Sequence, residues 1–262
     1  MTAFRAAFGY ELRMQLRKVS VWVTIGVLAL LTAVTTNPGD MVMPIEDGRA
    51  AAVRAARLTM LLLPVGFGCL VADRLVRDDR LGVRSLLDAT PGGLGTRLVG
   101  KYLGSCAATA IPVAGCYLLL IGAYSIRHGN IAAFGHAGLL IVTVMLPALL
   151  FVGAFALLCP LVMPTPLFRV LFVGYWFWTT TIYPSLLPTL NGTLFTPVNG
   201  YLLRELFHTG DLDVAGHVDG AMFNFLRPEP SAVTAWLALA VLAAITALAL
   251  SGARALLART AR

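Results

Sequence analysis

Long uncharged runs separated by short charge-bearing stretches are the dominant pattern of this chain. A helix that crosses the ~30 Å hydrocarbon layer needs about 20 apolar residues, because its backbone polar groups must be satisfied within the segment. On that scale the runs predict six spans, at residues 19–36, 58–72, 102–126, 137–163, 170–187 and 231–253. The second is short unless Arg57 and Asp73 reach outward to the two interfaces. The run from Ala137 to Phe168 is too long for one untilted crossing, and Pro160, Pro164 and Pro166 end its helix near Met163. Pro228 and Pro230 open the sixth span, whose Ala240–Ala244 and Ala243–Ala247 pairs let a neighbouring helix approach closely. Residues 1–262 therefore read as a single all-α, polytopic transmembrane domain.

Two flanking segments carry patterns of their own. Phe4, Phe8, Leu12 and Leu16 step by four residues and form one apolar stripe, with Arg13 and Arg17 largely opposite, so residues 1–18 predict an amphipathic interfacial helix. From Pro188 through Leu203 the chain stays uncharged, yet Pro188, Asn191, Gly192, Pro197, Asn199 and Gly200 forbid one continuous helix. A re-entrant hairpin before the sixth span fits that stretch, with a solvent-exposed loop as the alternative. The remainder of 188–230 reads as a polar external segment, whose scattered acidic and histidine residues lack metal-ligand spacing.

Composition agrees with the membrane reading: 58% of residues are hydrophobic and 13% charged, which excludes a soluble enzyme, a disordered tail and a nucleic-acid module. The net charge of +7 is then a matter of topology. With the amino terminus in the cytoplasm, fourteen of the twenty Lys and Arg fall in inner segments, so both termini are expected there. Lys18 and Lys101 are the only lysines, a bias matching a GC-rich bacterial genome, which makes the expected location the bacterial plasma membrane. The first span imitates a secretory signal but lacks an A-x-A site and precedes further spans, so it is read as a retained anchor.

Chemistry-bearing patterns are sparse. Cys69, Cys106, Cys116 and Cys159 lie in uncharged runs without C-x-x-C spacing and read as packing residues. No acidic or basic residue lies in the middle of a predicted span, which argues against a carrier driven by an ion gradient. There is no H-E-x-x-H or G-x-S-x-G, no histidine inside a span, and no phosphate-binding loop, since Gly100-Lys101 is followed by Tyr102. The chain is thus read as a non-enzyme that binds no metal or cofactor. Any work it performs must be supplied by a partner.

The docking place for such a partner is the largest inner segment, 73–101. It mixes both signs of charge with leucines that water would not favour. Ala72-Asp73, the cluster Arg77-Asp78-Asp79-Arg80, Gly82, Leu86-Leu87, Thr90-Pro91 and Gly100-Lys101 resemble the connection between the second and third spans in permease subunits of type 2 ATP-binding-cassette (ABC) exporters. Val83 stands where that family often has Thr. The resemblance implies a homo- or heterodimer of six-span halves, each docking a soluble ABC ATPase subunit in which ATP and Mg are bound. It also implies that Asp78, Asp79, Arg80, Leu81, Gly82, Arg84, Leu86 and Leu87 form the coupling surface, and that the amino-terminal helix transmits motion to the first span.

In the fifth span Phe172, Tyr175, Trp176, Thr179, Thr180 and Tyr183 combine aromatic bulk with hydroxyls. Phe172, Trp176 and Thr180 share one helical face and Tyr175 and Thr179 another. Such faces line a path suited to a hydrophobic or amphipathic substrate, such as a drug, antibiotic, lipid or peptide, or simply meet lipid and neighbouring helices. Competing expectations are an ion-coupled secondary transporter and a membrane enzyme or assembly factor.

Overall fold

A computed structural model describes residues 3–35, 47–72, 74–76, 82, 93–208 and 215–260. Regular structure among them is helical throughout. The helices are α1 (Ala3–Leu16), α2 (Val19–Thr35), α3 (Gly48–Val71), α4 (Leu94–His128), α5 (Ala132–Leu161), α6 (Thr165–Thr180), α7 (Gly200–Phe207) and α8 (Ala232–Thr260).

Six crossings are not what this chain forms. Among the described residues four helices, α3, α4, α5 and α8, are long and apolar enough to span a membrane, and the bent pair α1–α2 brings the number to five at most. The run predicted at 170–187 supplies only the 16-residue α6, about 24 Å long and short of the ~30 Å layer. Apolar continuity there outlasts helical continuity, because Pro184 has no N–H for the Thr180 carbonyl. Asn191 Nδ2 turns back to Thr180 O and Ile182 O instead, at 3.5 and 3.1 Å. The helical re-entrant hairpin is likewise replaced: 188–199 is a run of turns, followed by the single eight-residue α7.

The first predicted span, 19–36, forms the single helix α2, set off from the amino-terminal helix by a bend. A 62° bend at Arg17 and Lys18 separates α1 from α2, and Trp22 Nε1 donates to Leu16 O at 2.9 Å, satisfying a carbonyl that the end of α1 leaves open. By contrast α3 begins ten residues before the predicted second span. The Asp47 carboxylate accepts from Arg49 N at 2.9 Å and caps it, and the alanine-rich turns that follow are strong helix formers, so Arg49, Arg54 and Arg57 lie within the helix.

α3 is the hub, touching α2, α4, α5, α6 and α7. Its glycines admit neighbours closely: a Cβ at Gly66 would overlap Leu28 of α2, and one at Gly68 the Phe172 ring of α6. α4 is pinned by two tyrosines that donate to carbonyls of other helices, Tyr102 to Leu150 O at 2.8 Å and Tyr117 to Ala52 O at 3.1 Å. The turn to α5 is tight, with Gly129 in the left-handed region at φ 67°. Within α5, residues Ile141–Met145 form a π turn just ahead of Pro147, whose missing N–H relaxes the ladder to wider spacing.

α8 packs on α5, α7 and α4 with Ala235, Ala238, Leu242, Ala249 and Ala253 buried, whereas Ala240, Ala243, Ala244 and Ala247 face outward. The far end, opposite α1, is closed by a folded cap around Arg227. That residue is 3% exposed, and its guanidinium donates to Thr189 O at 2.8 Å and Asn191 O at 2.9 Å. Burial pulls that guanidinium below its ordinary pKa and pushes the neighbouring Tyr201 phenol up to about 12.

Candidate functional site

Of the predicted coupling residues, Asp78, Asp79, Arg80, Leu81, Arg84, Leu86 and Leu87 lie outside the described residues, and Gly82 adopts φ +65°. At the base of the segment Arg74 meets Glu11 of α1.

That meeting place begins with a close crossing. Among the described residues the most extensive helix contact is α1 on α4, at Gly100 and Gly104. A Cβ on Gly104 would stand 2.8 Å from Phe8 O and 3.0 Å from Glu11 Cβ, and one on Gly100 would stand 2.9 Å from Ala7 Cβ. Spacing small residues four apart in this way lets two backbones approach without side chains between them.

The approach buries a polar knot. Gln15 Nε2 donates to Glu11 Oε1 at 2.9 Å and to Ser105 Oγ at 2.7 Å, and Ser105 Oγ donates to the same carboxylate oxygen at 3.1 Å. Arg74 Nη1 lies 3.7 Å from that oxygen. Glu11, Gln15, Ser105 and Arg74 are all at most 6% exposed. A carboxylate so enclosed is stable only with its charge and lone pairs met, so these contacts tie α1 to α4 and to the start of the 73–101 segment.

Sequence reasoning missed this knot because Glu11 falls on the apolar stripe of α1 and was outweighed by Phe4, Phe8 and Leu12. Those three side chains are only half-buried, while Glu11 and Gln15 are the buried positions. The legible signal was Gly100-x-x-x-Gly104-Ser105, a small-residue face on a helix otherwise rich in large apolar groups.

On the opposite side of the bundle, α5, α6, α8 and the cap enclose an apolar groove of about 360 Å³. Phe151, Phe155, Phe168, Phe172, Tyr175 and Ile245 are among its walls. The aromatics pack in pairs, Phe168 stacked on Phe172 at 5.6 Å and Phe151 tilted on Phe155 at 4.8 Å. Of the six residues predicted on the fifth span, Phe172 and Tyr175 line this groove. Trp176 is fully buried against α3, its indole donating to Leu61 O at 3.0 Å, next to the carbonyl that Pro64 leaves without its helical donor. Thr179 is fully buried, and its hydroxyl and that of Thr180 donate to Trp176 O at 3.1 and 2.7 Å. Tyr183 lies beyond the helix, half-exposed. The groove thus presents aromatic surface, with the Tyr175 hydroxyl and the Cys159 and Met163 sulfurs as polarisable exceptions.

All four cysteines are free thiols, and no group of three metal-ligating side chains occurs among the described residues. No family model matches the sequence, and no curated protein is significantly similar to it. What the residues establish is a multi-span, helical membrane protein with a buried polar junction at one side and an aromatic groove at the other.

Proposed function

We propose that this chain is the permease subunit of an ABC transporter in a bacterial plasma membrane, with both termini cytoplasmic, exporting a hydrophobic or amphipathic substrate. A separate nucleotide-binding subunit docks on residues 73–101, binds ATP and Mg, and delivers its work there. A second permease half completes the transporter. The observation that carries this reading is the junction of Glu11, Gln15 and Ser105 with Arg74, which attaches α1 and α4 to the first residues of that segment. A push on the segment therefore moves two long helices together rather than one loop. The aromatic groove supports the choice of cargo, since its walls favour apolar surface and give a small ion nothing to replace its water.

The reading predicts a cassette ATPase encoded beside this chain, and the test is co-expression with that subunit. The two are expected to copurify, with ATP hydrolysis stimulated by apolar cargo and transport abolished by Asp78→Arg or Arg80→Glu. Transport by the purified chain alone in liposomes overturns the proposal. A second reading, an ion-coupled carrier, is favoured by the buried Glu11 carboxylate. Arg74 and the two hydrogen bonds on Oε1 already occupy that oxygen, which weakens the carrier reading. Sensitivity of transport to an ionophore, with none to ATP depletion, decides for the carrier.

A further inference from the structure

Three neighbouring helices carry a proline in their interior, Pro64 in α3, Pro112 in α4 and Pro147 in α5. Their levels coincide. α3 begins at the far end where α4 passes into α5, since a Cβ on Gly48 would stand 2.9 Å from Asn130 Nδ2 and 3.2 Å from Ala133 N. From that end the three prolines lie about 24, 24 and 22 Å along their helices at 1.5 Å per residue. A second contact fixes the register towards α1: Gly153 of α5 packs on Cys106 of α4, and each stands six residues from its own proline.

Each proline withholds an N–H from the carbonyl one turn back, and each helix has a second weakness just ahead of it. Thr59, Thr109 and Thr143 donate their hydroxyls to the carbonyls four residues before them, Ala55 O at 2.8 Å, Ser105 O at 2.7 Å and Leu139 O at 2.8 Å. Such bonds compete with the backbone ladder and bend helices. α5 adds its π turn at Ile141–Met145. The ties already named between these helices fall on one side of this level or the other. Tyr117 to Ala52 O and the Gly48 contact hold the far half, while Tyr102 to Leu150 O, the Gly153 contact and the Glu11–Arg74 pair hold the half that carries α1. α6 carries proline only in its first turn, and the 29 residues of α8 contain none.

We propose that Pro64, Pro112 and Pro147 form one hinge plane, on which the α1 half of α3, α4 and α5 turns as a body against α6 and α8. The motion reaches the groove, because Phe151 and Phe155 stand on the turning half of α5 and Ile245 on α8. A bend of about 20° swings the α1 end of α4, about 27 Å from Pro112, by ~9 Å. Such a hinge belongs to this chain whether or not an ATPase drives it.

The experiment places nitroxide pairs on the full chain in detergent, with its native cysteines replaced by alanine, and reads distance distributions by double electron–electron resonance. One pair joins Tyr10 of α1 to Ala255 of α8, and a reference pair joins Ile126 of α4 to Val233 of α8 at the far end; all four positions are exposed. The first pair is expected to spread over about 9 Å and the reference pair to stay narrow. Because the three helices turn together, Pro112→Ala alone is expected to narrow the first pair as far as alanine at all three prolines does. It is also expected to slow release of an apolar fluorescent probe several-fold, although none of the described groove walls comes from α4. Thr109→Val keeps every proline and is expected to narrow the pair in the same direction, which separates stiffening from a folding defect of the alanine variants. Equal widths for the two pairs, a Pro112→Ala width no different from the parent, or narrowing that accumulates one helix at a time overturns the shared plane. Probe release unchanged by Pro112→Ala overturns its link to the groove.

Discussion

Glu11 Oε1 accepts from Gln15 and Ser105 and faces Arg74, so the cost of each substitution depends on what it strands. Removing the carboxylate leaves the Arg74 charge buried without it, a change of roughly 3 kcal/mol in systems of this kind. Glu11→Ala is therefore expected to lower thermal stability sharply in detergent, and Glu11→Gln by less, since an amide oxygen still accepts both hydrogen bonds although it too removes the charge facing Arg74. A double-mutant cycle between Glu11→Ala and Ser105→Ala is expected to show a coupling of about 1 kcal/mol, and additive losses would mean that the two do not communicate. The cap offers a pH-dependent counterpart. Tyr201 donates to Gly192 O at 3.1 Å, and burial raises its phenol from 10.0 to about 12. Because the folded value lies above the unfolded one and the charged form is the deprotonated one, stability from this group is complete below pH 10 and falls as pH rises towards 12. Tyr201→Phe is expected to lose about 1 kcal/mol at neutral pH and to flatten that alkaline decline in chemical unfolding.

Between helices, the glycines of α4 separate two effects that act on the same substitution. Glycine in a helix interior costs up to about 1 kcal/mol relative to alanine, so a glycine with open space around it should be improved by a methyl group. Gly115 has nothing within 4 Å of its would-be Cβ, and Gly115→Ala is expected to raise stability. Gly104 has the Phe8 backbone in that place, and backbone cannot rotate aside. Overpacking of roughly 1–3 kcal/mol outweighs the propensity gain, so Gly104→Ala is expected to loosen α1 from α4. Disulfide cross-linking between cysteines placed on α1 and α4 reads that loosening directly, and a cross-link of undiminished yield would show that the crossing tolerates the methyl group. The same reasoning accounts for α6, where Phe172 sits over Gly68 and Trp176 reaches Leu61 O, so its buried face is a strut against α3 while Tyr175 turns to the groove.

Across the whole molecule, the groove and the polar junction lie on different sides of α3 and α4, which lets each be perturbed alone. Ile245 enters the groove from α8, on a helix that carries no residue of the polar junction. Ile245→Trp is expected to fill the groove, lowering retention of an apolar fluorescent probe about tenfold or more, on the scale of 1.4 kcal/mol for each factor of ten. The unfolding temperature should change little. Undiminished probe binding would move the cargo site elsewhere.

Sequence alone determined that this is a helical membrane protein, because stretches of uncharged residues have no other stable place for their backbone than a hydrogen-bonded helix in lipid. It also marked a helix end where proline is decisive, as at Pro164. The number of crossings was not legible, since an apolar run does not reveal where its hydrogen-bond ladder breaks, and the folding back of Asn191 onto the end of α6 is a contact with a later segment. Nor was the burial of Glu11 and Gln15, because an amphipathic pattern ranks faces by hydrophobicity. Only the tertiary structure decided which face is covered, by bringing Ser105 and Arg74, remote in sequence, to satisfy the polar one.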